Sequence, residues 1–539
     1  MKPGHIHSVL RVALAASAFA ANLLAPRPAG AAGVTLITHG LNGDVDGWIT
    51  AMANAIPAYP HFKGTNFTCY EMYFFQSGAN YFLTASNVSG GPPTAFGSGE
   101  IIVKLDWRQL SDGKSYDTYQ IAQAVAPALL STNFIPDLGG HALAELPLHL
   151  IGHSRGGSLV CEISRLLGTN GVWVDHLTTL DPHPLNNDGF FLDALLYSDV
   201  DAPARTYVNV LFHDNNWQNT NSPIYGEAVA GAYVRKLTSF SGGYSGLGSE
   251  HSDVHLWYHG TITTNTPVSY LDSGSTITLT ATMRTNWWNT YESGGAIAGF
   301  DYSLIGGGNR LSADHPLGAG AAAIFDGFNQ HWDLGAGSAA NNRTALTTNY
   351  GAWPNLIRVN RATTNALVPG QSTALQIYYQ WASPASSNAT IAVYLDDDSN
   401  PLNTNQVLLR QFPVPATGAG FVGAFATNLT LNASNVAPGT HAFLATITGG
   451  GRTRYLYAPE PVEIVSVQPP ALDFTKLTAT QDLIGINGVP GQTVVLQQST
   501  DLQTWQPLAT NTLATGRWVY TNTPPPVPAW HFYRAVLGP

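Results

Sequence analysis

Cysteine is nearly absent from this 539-residue chain, which has only Cys69 and Cys161. Two thiols allow one bridge at most, so the dense disulfide framework of small secreted domains is excluded. They either form that bridge or are both buried as small apolar groups, one in "FTCYEMYFF" and one in "SLVCEISRLLG". Charge is scarce as well. Asp, Glu, Lys and Arg supply 11% of residues, and the net charge is −11, whereas about a quarter of an ordinary chain is charged. An acidic chain without a basic run is not built to neutralise phosphates, which argues against nucleic acid as a partner. Long apolar runs are missing too. Beyond the N-terminus none approaches the ~18 residues a membrane helix needs, so no transmembrane segment is expected in the mature chain.

What is present is an ordinary share of hydrophobic residues, 44%, and a surface rich in Asn, Thr, Ser and Gly. That composition suits an exported protein. Lys2 and Arg11 precede the apolar segment Val12 to Leu24, and Ala29-Gly30-Ala31 offers a small-residue cleavage site. Residues 1–31 therefore read as a signal peptide, with an extracellular or periplasmic destination.

Length predicts several domains. From Gly33 to about Trp353, apolar runs such as "GVTLITHG", "EIIVKLDW", "LPLHLIG", "VDHLTTLD" and "TYVNVLFHD" alternate with helical patterns. One helix is "YDTYQIAQAVAPALL", with Ser115 as a cap, and another is "SLVCEISRLLG". Alternating β and α predicts a mostly parallel sheet covered on both faces, an α/β domain over 32–353. After residue 354 the texture becomes short alternating strands between Pro, Gly and Asn turns. It predicts an immunoglobulin-like sandwich over 354–467, a linker "SVQPPALDF", and a last β module over 472–539.

The chemistry centres on "LHLIGHSRGGSLV", a G-x-S-x-G match with Ser154 at its middle. With 54 glycines in the chain, the bare pattern is weak. Its setting, an apolar run before and a helical run after, is that of a nucleophile elbow. A serine nucleophile needs an imidazole, a carboxylate to orient it, and two N–H donors for the oxyanion. Asp181 in "TTLDPHP" and Asp214 in "VLFHDNN" each end a predicted strand. His251 and His255 in "SEHSDVHLWYHG" lie one helical turn apart. "THGL" ends the first strand, where the Leu41 N–H could join that of Arg155 in an oxyanion hole.

The set "THGL", "LIGHSRGG", "TTLDPHP" and "EHSDVHLWYHGTI" resembles the α/β-hydrolase superfamily, specifically its lipase and esterase members with a pancreatic-lipase-like placement of the acid. The resemblance covers roughly residues 33–265. It implies a doubly covered parallel sheet and the assignment Ser154, Asp181 and His251, with Leu41 and Arg155 as backbone donors. His255 and Asp214 stand as alternates. Arg155 departs from the family pattern and would bring a charge beside the acyl site. No amphipathic lid is evident.

The resulting expectation is an exported serine ester hydrolase without cofactor or metal, acting on a lipid or polymeric ester. Two rivals are an esterase directed at an acylated polysaccharide or polyester by the β modules, and a non-catalytic carbohydrate-binding or adhesion protein. Zinc at His251 and His255 lacks a third ligand, "LDDDSN" reads as a hairpin turn rather than a calcium site, and Trp287 and Trp288 read as core.

Overall fold

The computed structural model describes residues 33–538 apart from 60–66, 96–99, 186–195, 199, 221–223, 239, 264–270, 273–274, 290–298, 303–342, 347–351, 362–365, 369–370, 383–386, 418–422, 431–435, 459–460, 467, 479 and 525–529. The N-terminal segment read as a signal peptide lies outside the described residues.

Eight strands form the main sheet: β1 (Val34–Thr38), β2 (Phe67–Ser77), β3 (Asn80–Ser89), β4 (Glu100–Asp106), β5 (Leu148–His153), β6 (Val174–Leu180), β7 (Val210–Trp217) and β8 (Tyr233–Lys236). Their order is β3-β2-β4-β1-β5-β6-β7-β8. Every neighbouring pair is parallel except the hairpin of β2 and β3. The central strands are buried on both faces, and this is why "VTLIT" and "EIIVKLD" read as unbroken runs rather than alternations. β3 and β8, at the two edges, escaped the sequence reading because their side chains are half in water and their apolar pattern is diluted.

Helices cover both faces. On one side α2 (Thr118–Leu130) and α3 (Arg155–Thr169) pack on Leu36, Val103, Leu150 and Leu177. On the other, α1 (Trp48–Ala55) and α4 (Ser249–Ile262) pack on Ile37, Ile102, Ile151 and Leu180, joined by Trp287 from α5 (Ala281–Asn289). The cap of α2 is Asp117, not Ser115. The Asp117 carboxylate accepts from the Gln120 N–H at 2.9 Å, and the Gln120 side chain accepts from the Asp117 N–H. Ser115 instead belongs to the preceding turn, bonded to Asp112.

The two cysteines are free and buried. Cys69 lies in the core on the α1 side of the sheet and Cys161 in the core on the α3 side, so the sheet itself separates them. Burial pushes their thiols up to about 11 and about 12.

A small sheet of β9 (Gly243–Tyr244), β10 (Leu271–Asp272) and β11 (Ser275–Thr278) follows. The second part of the chain is antiparallel: β12 (Asn355–Arg361), β13 (Ser372–Gln380) and β16 (Gly423–Thr430) form one sheet. Facing them are β14 (Ala389–Asp396), β15 (Val407–Val414), β17 (Gly439–Gly449) and β18 (Arg452–Tyr457), with β19 (Val462–Ile464) on the end of β17. The last part pairs β20 (Ala471–Lys476), β21 (Asp482–Asn487) and β24 (Arg517–Asn522), and separately β22 (Thr493–Ser499), β23 (Gln506–Thr512) and β25 (Phe532–Leu537). "ALDF", placed in the linker by sequence, opens β20. Its alternating residues find a partner in β21 that a sequence window does not contain.

The sandwich is joined to the α/β sheet by buried polar contacts. Arg454 on β18 donates to Asp175 on β6 at 2.6 Å and to the Trp173 carbonyl at 2.9 Å. Asn355 accepts from the Trp173 N–H at 2.9 Å and donates to the Gly171 carbonyl at 2.8 Å. Trp353 and Leu402 complete the core beneath α2 and α3. Among the described residues, no helix is long and apolar enough to cross a membrane.

Candidate active site

The register of three adjacent strands brings the site together. Thr38 pairs with Gly152, and His153 pairs with Leu180. The residues that follow each strand therefore meet at one edge: Gly40 and Leu41 after β1, Ser154 after β5 and Asp181 after β6. The chain leaves β1 toward β2 on one side and β5 toward β6 on the other, so this edge lies at a switch point, where open α/β sheets form ligand crevices.

Ser154 has φ 59° and ψ −128°, a backbone conformation that costs a non-glycine residue about 1–3 kcal/mol. The turn is held by bonds from the Ser154 N–H to the Leu180 carbonyl at 3.0 Å and from the Gly157 N–H to the Ser154 carbonyl at 2.9 Å. Its tightness demands two glycines. A methyl group on Gly152 would lie 2.0 Å from the Gly156 oxygen, and one on Gly156 would lie 2.4 Å from the His39 oxygen. Gly40 presses on the serine itself, since a methyl there would lie 2.4 Å from the Ser154 Cβ. Ser154 does not cap α3 with its hydroxyl. The Ser154 hydroxyl thus lies at the N-terminal end of that helix, beside the positive end of its dipole, without being spent on a cap.

Asp181 is buried and collects four N–H donors. Its Oδ1 accepts from the backbone of Gln218 at 2.8 Å and of Gly226 at 3.0 Å. Its Oδ2 accepts from the Gln218 side chain at 2.8 Å and from His251 Nδ1 at 2.6 Å. Burial acts on the pair in opposite senses, pushing Asp181 up to about 7 and pulling His251 well below 6.5, where His183 and His255 add to the pull. The hydrogen bonds decide between the two forms of the acid. Three amide N–H groups already converge on its two oxygens and favour the ionised acid, for which His251 Nδ1 is the fourth donor, so the arrangement suits an ionised Asp181 beside a neutral His251. With Nδ1 donating, the free lone pair of His251 is on Nε2.

The peptide between Gly40 and Leu41 is held by its oxygen. That oxygen accepts from His39 Nδ1 at 2.9 Å and from the Gly43 N–H at 3.2 Å. His39 Nε2 in turn accepts from the Trp107 N–H at 3.1 Å, which leaves the imidazole proton on Nδ1. A planar trans peptide then points the Leu41 N–H the opposite way from that anchored oxygen.

Arg155 does not bring charge to the reacting atoms, contrary to the expectation from sequence. Its guanidinium is fully buried, turned beneath the turn onto Asp201 with Nε–Oδ2 and NH2–Oδ1 distances of 2.7 Å each, and lies over the Trp107 ring. Only its backbone N–H remains at the turn. Asp201 also accepts from the N–H groups of Thr118 and Leu185, both at 3.0 Å, so one ion pair ties the start of α2, the start of α3 and the loop after β6 together.

The alternates lie elsewhere. Asp214 accepts from His176 Nε2 at 2.7 Å and from Thr178 at 2.5 Å, two strands from the serine turn and under α4. His255 stacks on Trp48 with ring centroids 4.3 Å apart, and the imidazole that reaches Asp181 is that of His251. No group of three His, Cys, Asp or Glu able to hold a metal occurs among the described residues. Trp287 is core, while the Trp288 side chain lies outside the described residues. The carboxylates of Asp396, Asp397 and Asp398 are engaged by Tyr457, His441, and Asn403 with Asn405.

Sequence reasoning missed His39, Gln218, Gly226, Asp201 and His153. His39 sits in "THGL" and His153 in the elbow, where neither had been given a role, and the other three carry no motif signal. Its Nε2 donates to the backbone carbonyl of His251 at 2.9 Å, and the two rings lie 4.5 Å apart. This bond fixes the first turn of α4, and with it the imidazole. His153→Leu should slow phosphonate labelling of Ser154 by about 10–100-fold, the scale of a displaced catalytic group. His153→Gln, which keeps an N–H donor, should recover part of that rate, and equal rates for the two variants would count against the bond.

No protein-family model matches the chain, and no curated protein matches it. Solved structures that align with parts of it include a CARDB domain from Pyrococcus furiosus, at 13% identity over 21% of this chain and 90% of that one, with TM-score 0.14. Others are the ligand-binding domain of human OSCAR, at 12% identity over 31% and 81% with TM-score 0.16, and a superoxide reductase (neelaredoxin) from Ignicoccus hospitalis, at 12% over 20% and 80% with TM-score 0.14. Likenesses this slight bear on neither fold nor function.

Proposed function

We propose that the chain is a serine ester hydrolase of α/β-hydrolase type, with Ser154 as nucleophile, His251 as base and Asp181 as the orienting acid. The observation that carries this reading is the 2.6 Å contact of His251 Nδ1 with Asp181, made beside a serine held at φ 59° on a strand-to-helix turn. Ser154 Oγ attacks the ester carbonyl while His251 Nε2 takes its proton, and the tetrahedral oxyanion is met by the N–H groups of Leu41 and Arg155. Collapse expels the alcohol, which receives the proton from His251. Water, deprotonated by the same imidazole, then releases the acid from Ser154.

Apolar side chains on the loops around the site favour a water-insoluble ester. Ile224 and Tyr225 immediately precede Gly226, whose N–H binds Asp181, and both are exposed. Leu247, four residues before His251, is 91% exposed. Exposed apolar residues so near in sequence to Gly226 and His251 suit an acyl chain or a polyester surface better than a charged soluble substrate.

A panel of p-nitrophenyl esters of increasing chain length tests the reading, and its pH profile adds a second check. His251 must be neutral to act, so activity is lost as pH falls through its pKa. Because burial lowers that pKa, the acid limb of kcat/KM is expected below 6.5. A limb near 7 would show that Asp181 takes the proton first. Absence of turnover on every ester, together with an unlabelled Ser154, would overturn the assignment.

A further inference from the structure

The two edges of the main sheet are built differently. β8 at one end is four residues long, reads "YVRK", and carries Arg235 and Lys236, which is how soluble proteins keep an open edge from pairing with another chain. β3 at the other end has none of these protections. It runs ten residues from Asn80 to Ser89, "NYFLTASNVS", with no charged residue and no proline. Nearly all of it is exposed, and among the described residues its outer edge pairs with no strand.

The strand is also held in place, ready to pair. Leu83 and Ala85 pack on the core beneath α2, and Tyr81 stands 4.4 Å from Tyr116. On the opposite face Phe82 stacks on Phe75 at 5.7 Å, and Phe75 on Tyr73 at 4.9 Å, which makes an apolar ridge along the edge. Alternate residues of β3 turn their N–H and C=O groups away from β2, toward water.

We propose that β3 is a dimerisation edge, pairing antiparallel with β3 of a second copy of this chain to give one sheet continuous across both molecules. The choice of occupant follows from charge and symmetry. A two-fold axis lays the strand against itself, so any charge in it would meet its own copy or a near neighbour. In a chain of net charge −11, this ten-residue strand carries none. The same axis brings the two Phe82 ridges onto one face of the joined sheet. About eight paired residues span roughly 27 Å and bury on the order of 1,000 Å² in total, at the small end for a specific interface. The dimer is therefore reversible, with a dissociation constant of about 1–100 µM.

Sedimentation velocity on the full chain from about 1 to 200 µM reads this directly. The wild type is expected to shift from monomer to dimer across that range. Thr84→Lys with Ser86→Lys, two exposed positions that face water in the monomer, should weaken association by at least ~10-fold while leaving the melting temperature and phosphonate labelling unchanged. Hydrogen exchange should show β3 amides protected at high concentration and exchanging on dilution. A wild type that stays monomeric to 200 µM, or a double-lysine variant that dimerises like the wild type, would overturn the proposal. So would β3 amides protected at every concentration, since that would mean this chain covers its own edge. None of these outcomes touches the assignment of Ser154, which the labelling reads separately.

Discussion

Ser154→Ala is expected to abolish fluorophosphonate labelling and to lower ester hydrolysis by about 10⁴–10⁶-fold, the loss seen when a triad nucleophile is removed. The fold should survive, because the hydroxyl makes no cap for α3 and the turn rests on backbone bonds from Ser154 to Leu180 and from Gly157 to Ser154. Alanine inherits the strained φ of 59°, so no stability is gained. Glycine tolerates that region, and Ser154→Gly should therefore stabilise the protein by about 1 kcal/mol while being equally inactive. Inactivity accompanied by that gain would tie the strain to the nucleophile. Labelling that persists in Ser154→Ala would place the reactive serine elsewhere and sink the proposed mechanism.

The second large effect lies far from the serine. Arg454→Leu is expected to destabilise the α/β part by about 3–5 kcal/mol, since it takes the guanidinium away from the buried Asp175 carboxylate. Both side chains are at most 2% exposed. The same Asp175 oxygen also accepts from the N–H of Leu148 at 2.8 Å, at the start of the strand that leads into Ser154. Adding Asp175→Asn removes the buried negative charge but keeps an acceptor for Leu148, so the double variant should recover much of the loss. Thermal unfolding followed by tryptophan fluorescence would show the single variant melting roughly 5–15 °C early. An unchanged midpoint would mean that the sandwich contributes nothing to the sheet. Activity below the melting range should be nearly normal in either variant, because neither residue reaches the site.

This contact changes what the β sandwich is for. A chain ended near residue 353 would lose Arg454, Asn355 and Leu402 together and would expose the core beneath α2 and α3. Loss of activity in such a truncation would then report unfolding, not a missing substrate-binding module. The polymer-directed reading needs surface substitutions in the last β module as its test, where Trp530 is 74% exposed.

Much of the core sheet was legible in the sequence. Strands buried on both faces leave continuous apolar runs, and β1, β2, β4, β5, β6 and β7 all declare themselves this way. Edge strands β3 and β8 do not, because half their residues answer to solvent. The elbow was legible because its geometry is local: glycines at 152 and 156 are required within five residues by steric contact. Asp181 and His251 were legible only as members of short sets, since several acids and histidines end strands or open helices in this chain. What singles them out is register. Gly152 opposite Thr38, and Leu180 opposite His153, set three chain segments at one edge, and nothing in a linear sequence encodes which strands lie side by side. The direction of a long side chain is equally non-local. Arg155 follows the serine in sequence, yet its charge is drawn beneath the turn by Asp201, 46 residues on, because a buried guanidinium goes where a carboxylate can pair with it. Composition and periodicity determined the layers and the elbow. Partner choice, which decides where charge and hydrogen bonds end up, belonged to the tertiary structure, because it depends on distances that only packing creates.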